Sequence, residues 1–263
     1  MSCNTRDLRF NKKKKNMQYY SKIDTCFKRV QDKDNPLFNC IIPDEFTRDE
    51  FAVLQDCRWL ATEKVDGTNM SYHFRYEANP TGNEPPLMDV LEIHGKTPDS
   101  KIPIPLVEKM QSLVSKEDFH ELFLREDKPN SLVDVWIFGE GYGKKIQKFG
   151  NDYISNGVNF IVFDIKIGNI WLTRESVEEI CQELRLDIVP IIDYMTLNQA
   201  IRLVEKGFKS RVAENENLNA EGLVLSAPCM MLDRLGNRIV TKIKTCDFNQ
   251  LKAKLKSNGT VLG

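Results

Sequence analysis

EKVDGTN, residues 63–69, lies between two apolar segments at residues 59–63 and 70–76. The Asp66-Gly67 pair predicts a tight turn joining two strands. Lys64 therefore stands at the end of a strand, beside a backbone kink that glycine makes easily, where its amine can approach a phosphorus atom closely. Lys-x-Asp-Gly by itself is a short pattern, and the alternative interpretation is a hairpin turn with a surface lysine.

Strand patterns recur on both sides of this segment, at residues 59–63, 70–76, 90–94, 132–138, 159–165, 222–226 and 239–243. Helical periodicity is found at residues 106–124, 175–186 and 198–208, and Thr47 and Glu50 have capping-box spacing for a further short helix. Strands outnumber helices without strict alternation, which predicts an α+β domain of largely antiparallel sheets flanked by helices. We expect this domain to span residues 46–263, after a partly basic N-terminal extension over residues 1–45.

Composition and hydropathy argue against a secreted, disulfide-bonded or membrane-spanning protein. The chain has 263 residues, 41% of them hydrophobic, a formal net charge of −1 and seven cysteines without a C-x-x-C pair. No secretory or membrane-spanning pattern is visible, so we expect a cytoplasmic protein with reduced thiols.

Two other local patterns bear on nucleotide and phosphate binding. The glycines at 139, 141 and 143 match neither common nucleotide-loop spacing. The lysines at 12–15 are interpreted either as a solvated tail or as a phosphate contact.

Further charged and aromatic segments follow the lysine in order: IHGKT at 93–97, WIFGE at 136–140, FIVFDI at 160–165, EGLVL at 221–225 and KIK at 242–244. The set resembles the motifs of the covalent nucleotidyltransferase superfamily, and it is most similar to the phage-type ATP-dependent RNA ligase family. The resemblance runs from about Trp59 to Lys244. It implies a nucleotidyltransferase fold that uses ATP.

The resemblance also implies roles for individual residues. Lys64 becomes linked to AMP, Glu140 holds the ribose, and the adenine stacks on Phe163, with Phe160 as the less favoured ring. Glu221 serves the catalytic metal, and Lys242 and Lys244 contact the phosphates. The implied catalytic set is Lys64, Glu221, Lys242 and Lys244, and the implied nucleotide-binding set adds Glu63, Asn69, Lys96, Glu140 and Phe163. The family has arginine where this chain has Lys96, and a lysine offers a point charge in place of a bidentate grip.

The residue types suit phosphoryl transfer. A lysine attacks as the free amine, and nearby cations disfavour its ammonium form while stabilising the charge on phosphoryl oxygens. Mg²⁺, for which Mn²⁺ substitutes, prefers oxygen ligands and keeps several waters, so we expect Glu221 to be its leading ligand, with Asp66 and Asn69 reaching metal-bound water. The predicted metal-binding set is Glu221 and Asp66. The three histidines, His73, His94 and His120, are too scattered in sequence to indicate a zinc site, although the fold can bring them together.

The predicted reaction joins 5'-phosphate and 3'-hydroxyl RNA ends through a lysine-AMP intermediate and an adenylylated RNA 5' end. The alternatives are a GTP-dependent mRNA capping guanylyltransferase and an inactive nucleic-acid-binding module of the same fold. Superfamily members of the capping and DNA ligase types carry an oligonucleotide-binding barrel after the last motif. Because 19 residues follow Lys244 here, we expect no such barrel, and we expect a monomer. Lys252, Lys254 and Lys256 are interpreted as an RNA contact or as a solvated helix face.

Overall fold

The structure is a computed structural model, and it describes residues 19–79, 84–124 and 132–258. The chain divides into two compact units. Unit 1 comprises Met1–Lys22, Thr68–Gly141 and Val158–Asp187, and unit 2 comprises Ile23–Gly67, Tyr142–Gly157 and Ile188–Gly263. The chain crosses from unit 2 to unit 1 directly after Gly67, at the turn that the sequence indicates.

The strands are β1 (Asp24–Thr25), β2 (Phe27–Arg29), β3 (Ile41–Phe46), β4 (Trp59–Lys64), β5 (Thr68–Glu77), β6 (Met88–Gly95), β7 (Leu132–Gly143), β8 (Val158–Ile167), β9 (Ile170–Trp171), β10 (Asp187–Ile188), β11 (Ile191–Met195), β12 (Gly222–Ser226) and β13 (Val240–Lys244). The helices are α1 (Asp49–Val53), α2 (Ile104–Leu113), α3 (Lys116–Phe123), α4 (Gly150–Tyr153), α5 (Arg174–Glu183), α6 (Leu197–Lys206) and α7 (Thr245–Ser257). All seven predicted strands are present, and the predicted α+β class is confirmed.

Two predicted local features are wrong. The single helix expected over residues 106–124 is two helices, α2 and α3. Ser115 starts the second one, since its hydroxyl accepts from the Asp118 amide at 3.2 Å and the Asp118 carboxylate accepts from the Ser115 amide at 2.7 Å. Thr47 does not cap α1, because its hydroxyl donates to the Thr25 carbonyl at 2.5 Å. A long-range contact overrides the local capping pattern there.

Unit 1 is built on a six-stranded sheet in the order β10-β8-β7-β5-β6, with β9 paired to β8. Strand β5 is antiparallel to both of its neighbours. Its side chains Met70, Tyr72 and Phe74 point to one face and are fully buried. The alternation of side chains in a strand places Asn69 and His73 on the opposite face. That face carries most of the polar residues discussed below for unit 1.

Unit 2 holds a five-stranded sheet in the order β1-β13-β12-β4-β11 and the hairpin β2-β3. Strand β4 is bordered by β12 and β11, both antiparallel to it. Trp59 and Ala61 are fully buried in the core of this unit, where the Trp59 indole donates to the Leu54 carbonyl at 2.9 Å. Truncating such a tryptophan to alanine typically costs about 3–5 kcal/mol. This packing holds the strand that ends at Lys64.

Residues of the predicted N-terminal extension contribute to unit 2. Strand β1 pairs in parallel with β13, and Cys26, Phe27 and Ile41 belong to the buried core. The boundary near residue 45 stays a prediction. At the other end, the described residues after Lys244 form α7 and its C-cap, Asn258. No helix within the described ranges is long and apolar enough to cross a membrane.

Candidate active site

Lys64 is the last residue of β4 and lies against two charged groups of unit 2. Its Nζ contacts Glu221 Oε2 at 2.6 Å, and the other oxygen of the same carboxylate, Oε1, contacts Lys244 Nζ at 2.7 Å. The three side chains are mostly withdrawn from solvent, with 20%, 15% and 29% exposed for Lys64, Glu221 and Lys244. Glu221 thus bridges two of the three lysines in the predicted catalytic set.

Strand register explains why these residues meet. Gly222 is paired with Lys64 on one side and with Lys244 on the other, so the three form one row across β4, β12 and β13. Lys242 lies two residues before Lys244, and alternation puts it on the same face of the sheet. A Cβ at Gly222 would collide with the Ile243 carbonyl oxygen. Glycine is therefore required for the close approach of β12 and β13 at the site.

Asp66 is the second carboxylate near the lysines. Burial raises the pKa of Asp66, and the charge of Glu221 raises it further, against the opposing effect of Lys64 and Lys244. Burial alone would lower the pKa of Lys244, but the hydrogen bond and charge of Glu221 outweigh it, so the pKa is raised. Two neighbouring carboxylates whose charges disfavour each other offer hard oxygen ligands, and their donor set fits Mg²⁺ or Mn²⁺.

Glu63 points to the other face of β4 and is only 1% exposed. Its carboxylate accepts hydrogen bonds from the Ser210 hydroxyl at 2.5 Å and from the Arg211 amide at 2.7 Å. Burial raises the pKa of Glu63, while these two donors act in the opposite direction. The side chain thereby holds the turn at residues 210–213 against the strand that presents Lys64. A nucleotide contact by Glu63 stays a prediction.

The remaining predicted residues belong to unit 1. Asn69 and Glu140 are direct partners on β5 and β7, so their side chains share one face of the sheet. Lys96 follows Gly95, the partner of Met70 at the end of β6, which extends the same row. The sheet therefore brings Asn69, Glu140 and Lys96 together.

The two aromatic candidates on β8 are in different environments. Phe160 is 1% exposed and packs edge-on against Tyr72, at 5.3 Å between ring centroids, so it is a core residue. Phe163 is partly exposed, and its ring lies 5.1 Å from that of Tyr20. The Tyr20 hydroxyl donates to Asp164 Oδ2 at 2.9 Å. The accessible ring on this strand is Phe163, the one that the sequence favoured for stacking.

Comparison with known proteins gives one family. A family model described as RNA ligase matches residues 58–244, more than two thirds of the 263 residues. The chain belongs to the RNA ligase family. The matched region begins just before β4 and ends at Lys244, and so includes every predicted site residue. No curated protein matches the chain.

Solved structures with a similar fold include variants of Naegleria gruberi RNA ligase. A lysine-to-alanine variant without ligand has a TM-score of 0.54, with 78% of this chain covered. An arginine-to-alanine variant with ATP and Mn has a TM-score of 0.53, and a lysine-to-methionine variant with AMP and Mn has 0.52, each covering 81% of this chain. All three are 18% identical to it, and the chain spans 55% of their length.

Several residues around the RNA ligase motifs carry no sequence signal. The Tyr153 hydroxyl accepts from the Asp66 amide at 3.3 Å, and burial raises the pKa of Tyr153. Tyr153 is 87 residues from Asp66 in sequence, and Ser210 is 147 residues from Glu63, so only the fold brings each of them to its partner. Gly222 directly follows the catalytic candidate Glu221 in the segment EGLVL, but the sequence pattern does not reveal the collision that a glycine avoids there.

A cluster in unit 1 brings together two of the three histidines that are scattered in the sequence, His73 and His94. Ligand atoms of His73, Glu92 and His94 lie within 4.8 Å of one another. Glu92 accepts from Arg75 at 2.6 Å, and His73 Nε2 is bonded to Asp134 Oδ1 at 2.9 Å. The carboxylates are already paired with cationic or imidazole partners, so we interpret the cluster as a polar network and not as a metal site.

Of the two basic segments noted in the sequence, the structure describes the one in α7. The lysines at residues 12–15 lie outside the described residues. Lys252 pairs with Glu205 at 3.2 Å, and Lys254 donates to the Phe38 carbonyl at 2.8 Å, so both have partners within unit 2. These contacts favour the interpretation of α7 as a helix that is bound to the rest of its unit.

Proposed function

We propose that this chain is an ATP-dependent RNA ligase in which Lys64 is the nucleophile. The observation that carries the proposal is the row Lys64, Gly222 and Lys244 with Glu221 bridging both lysines, located within a match to the RNA ligase family. The solved relatives named above with ATP or AMP and Mn support the choice of nucleotide.

The first step is attack by Lys64 Nζ on the α-phosphorus of ATP. A phosphorus–nitrogen bond forms, the bond to pyrophosphate breaks, and the amine loses its proton. The ammonium form that contacts Glu221 at 2.6 Å is not nucleophilic. Lys64 therefore has to leave the Glu221 carboxylate and lose a proton before it attacks. Lys244 remains as the counter-charge of this carboxylate, and we assign it also to contact phosphate oxygens.

Glu221 and Asp66 would hold the divalent cation. When bound, Mg²⁺ or Mn²⁺ supplies positive charge against phosphoryl oxygens, the ordinary role of metals in such displacements. A cation on Glu221 would compete electrostatically with the Lys64 ammonium for the same carboxylate and would weaken the contact between them. Glu221 would then have a role in the chemistry beyond that of an ion-pair partner.

The later steps use the same groups. AMP passes from Lys64 to a 5'-phosphate end of RNA, and a 3'-hydroxyl then attacks that end and expels AMP. We assign Lys242 and Lys244 to the phosphates, and Asn69, Lys96, Glu140 and Phe163 to the nucleotide. Of these, Phe163 is the side chain available for stacking on the adenine. RNA ends are the proposed partner, and the monomeric state and cytoplasmic location stay predictions.

Intact-mass measurement tests the proposal. The protein is incubated with Mg²⁺ or Mn²⁺ and either ATP or GTP, then denatured. We expect the mass of one adenylyl group from ATP and nothing from GTP, and we expect Lys64→Ala to remain unmodified. Lys28→Ala is the matched control, since Lys28 is an exposed lysine of the same unit, 3.8 Å from Glu45. A guanylyl adduct would indicate a capping enzyme, and no adduct from either nucleotide would indicate a binding module.

A joining assay addresses the substrate. Wild-type protein is supplied with 5'-phosphate and 3'-hydroxyl ends as nicked duplex or as single strands, in RNA and in DNA. We expect sealed RNA with release of AMP. Adduct formation without any RNA joining would contradict the ligase assignment while leaving the lysine chemistry intact.

A further inference from the structure

The loop between β7 and α4 in unit 2, which we call the lysine loop and define as residues 144–149, has the sequence KKIQKF. Lys144, Lys145 and Lys148 are exposed, and Phe149 is 42% exposed. There is no acidic residue in the loop itself. Within the described part of the chain, none of its three lysines forms a salt bridge with a carboxylate. The loop therefore presents positive charge that is not neutralised locally.

The aromatic ring of the lysine loop is held beside one of its cations. Lys148 Nζ lies 5.0 Å from the centroid of the Phe149 ring, a cation–π contact. An exposed phenylalanine next to lysines differs from an ordinary solvated charge run, because its flat face remains apolar. Nucleic acid bases stack on such faces while lysines contact the phosphates between them.

A buried residue and a backbone hydrogen bond hold the loop in place. Ile146 is 5% exposed and anchors the loop in the core, and its amide donates to the Gly143 carbonyl at 2.9 Å. On either side of it, Lys145 and Gln147 have φ values of 64° and 57°. Residues other than glycine rarely adopt this left-handed conformation, and where they do, the surrounding structure has to hold them and a functional constraint is common. Here the two left-handed residues flank the buried Ile146, while the three lysines remain exposed.

The lysine loop lies beside the turn that follows the nucleophile. Gln147 Nε2 donates to the Gly67 carbonyl at 3.0 Å, and Tyr153, just after the loop, accepts from the Asp66 amide at 3.3 Å. Both contacts are within unit 2 and reach the residues two and three positions after Lys64. A strand bound on the loop would therefore be placed next to the reacting amine.

We propose that the lysine loop is a binding surface for single-stranded RNA, with Lys144, Lys145 and Lys148 contacting phosphates and one base stacking on Phe149. The inference rests on the proposed function, because the ligase reaction supplies RNA as the partner. The Phe149 ring selects unpaired bases, because a base inside a duplex is stacked on both sides and has no face free for the ring. The role of the loop is to hold the strand whose end reacts at Lys64.

Fluorescence anisotropy with a labelled single-stranded oligoribonucleotide tests this proposal through its salt dependence. Each phosphate contact contributes about 0.7 to the slope of log affinity against log salt for single strands. Replacing all three lysines by alanine should therefore make the salt dependence weaker, with the magnitude of the slope reduced by about 2. Phe149→Leu should weaken binding roughly 5-fold or more without changing the slope, because it removes stacking and no charge.

Lys28→Ala is the matched control, and it should bind with the wild-type slope. Melting temperatures show whether the variants fold, and we expect little change because the replaced side chains are on the surface. An unchanged slope in the triple variant, unchanged affinity in Phe149→Leu, or no RNA binding by the wild-type protein overturns the proposal. Adenylylation of the wild-type protein is measured separately. An AMP adduct without RNA binding refutes the lysine loop alone, whereas RNA binding without an adduct refutes the ligase chemistry alone.

Discussion

Glu221→Gln should destabilise the protein, because the substitution removes the negative charge shared by Lys64 and Lys244. Each hydrogen bond to a charged group contributes about 1.5–3 kcal/mol, and the glutamine oxygen can still accept from one lysine. Its amide group would then face the second ammonium, donor against donor. Because the three side chains are only 15–29% exposed, we expect a loss of about 2–4 kcal/mol in the free energy of unfolding.

Thermal unfolding measures this loss. With an unfolding entropy of about 2.1 cal/mol/K per residue, the 263 residues correspond to roughly 0.55 kcal/mol/K, so the melting temperature should fall by about 4–7 °C. Glu45→Gln is the matched control, since Glu45 and Lys28 are 3.8 Å apart and more than half exposed. Its melting temperature should change by less than about 1 °C.

A double-mutant cycle with Lys244→Met separates the bridge from other effects of Glu221. If the carboxylate holds Lys244 as observed, the double variant should lose less than the sum of the two single variants, with a coupling energy of roughly 1–2 kcal/mol. A coupling energy below about 0.5 kcal/mol is the ordinary error of additivity. That result, or a melting temperature for Glu221→Gln equal to that of Glu45→Gln, would refute the bridging arrangement.

Two further predictions concern pH and backbone packing. Burial lowers the pKa of His73 and His94, so the unfolded chain binds more protons near pH 6. The stability that the two neutral histidines contribute is present above the usual pKa of 6.5 and is lost as the pH falls through their pKa values in the folded protein. The melting temperature of the double variant His73→Gln/His94→Gln should therefore fall less between pH 7 and 5 than that of the wild-type protein. An equal drop would show that other groups dominate. Gly222→Ala should lower the free energy of unfolding, measured by chemical denaturation, by about 3 kcal/mol or more, because the new Cβ would collide with the Ile243 carbonyl. Gly168→Ala is the control: its Cβ would enter open space, and the φ of 56° should cost only about 1 kcal/mol. Equal costs would contradict the close approach of β12 and β13.

Local sequence was sufficient for much of the fold. The seven strands and the α+β class were predictable because apolar strand patterns, like the Asp66-Gly67 turn, are properties of a few adjacent residues. Helices α2 and α3 were merged because apolar periodicity continues across Val114 and Ser115, although the capping residues at Ser115 and Asp118 were readable. Thr47 shows the opposite error. Its local pattern fits a capping residue, but its hydroxyl donates to the carbonyl of Thr25, 22 residues earlier in the chain.

The sequence by itself determined which residue types are available for chemistry and in what order, including the lysine before the Asp-Gly turn and the glutamate before Gly222. Only the tertiary structure decided their pairing. Lys64, Gly222 and Lys244 form a row because three antiparallel strands share one register, and a shift of one residue would move Lys64 to the other face. Register, the Ser210 partner of Glu63 and the placement of the lysine loop beside Gly67 all depend on contacts between distant segments, which no local pattern encodes.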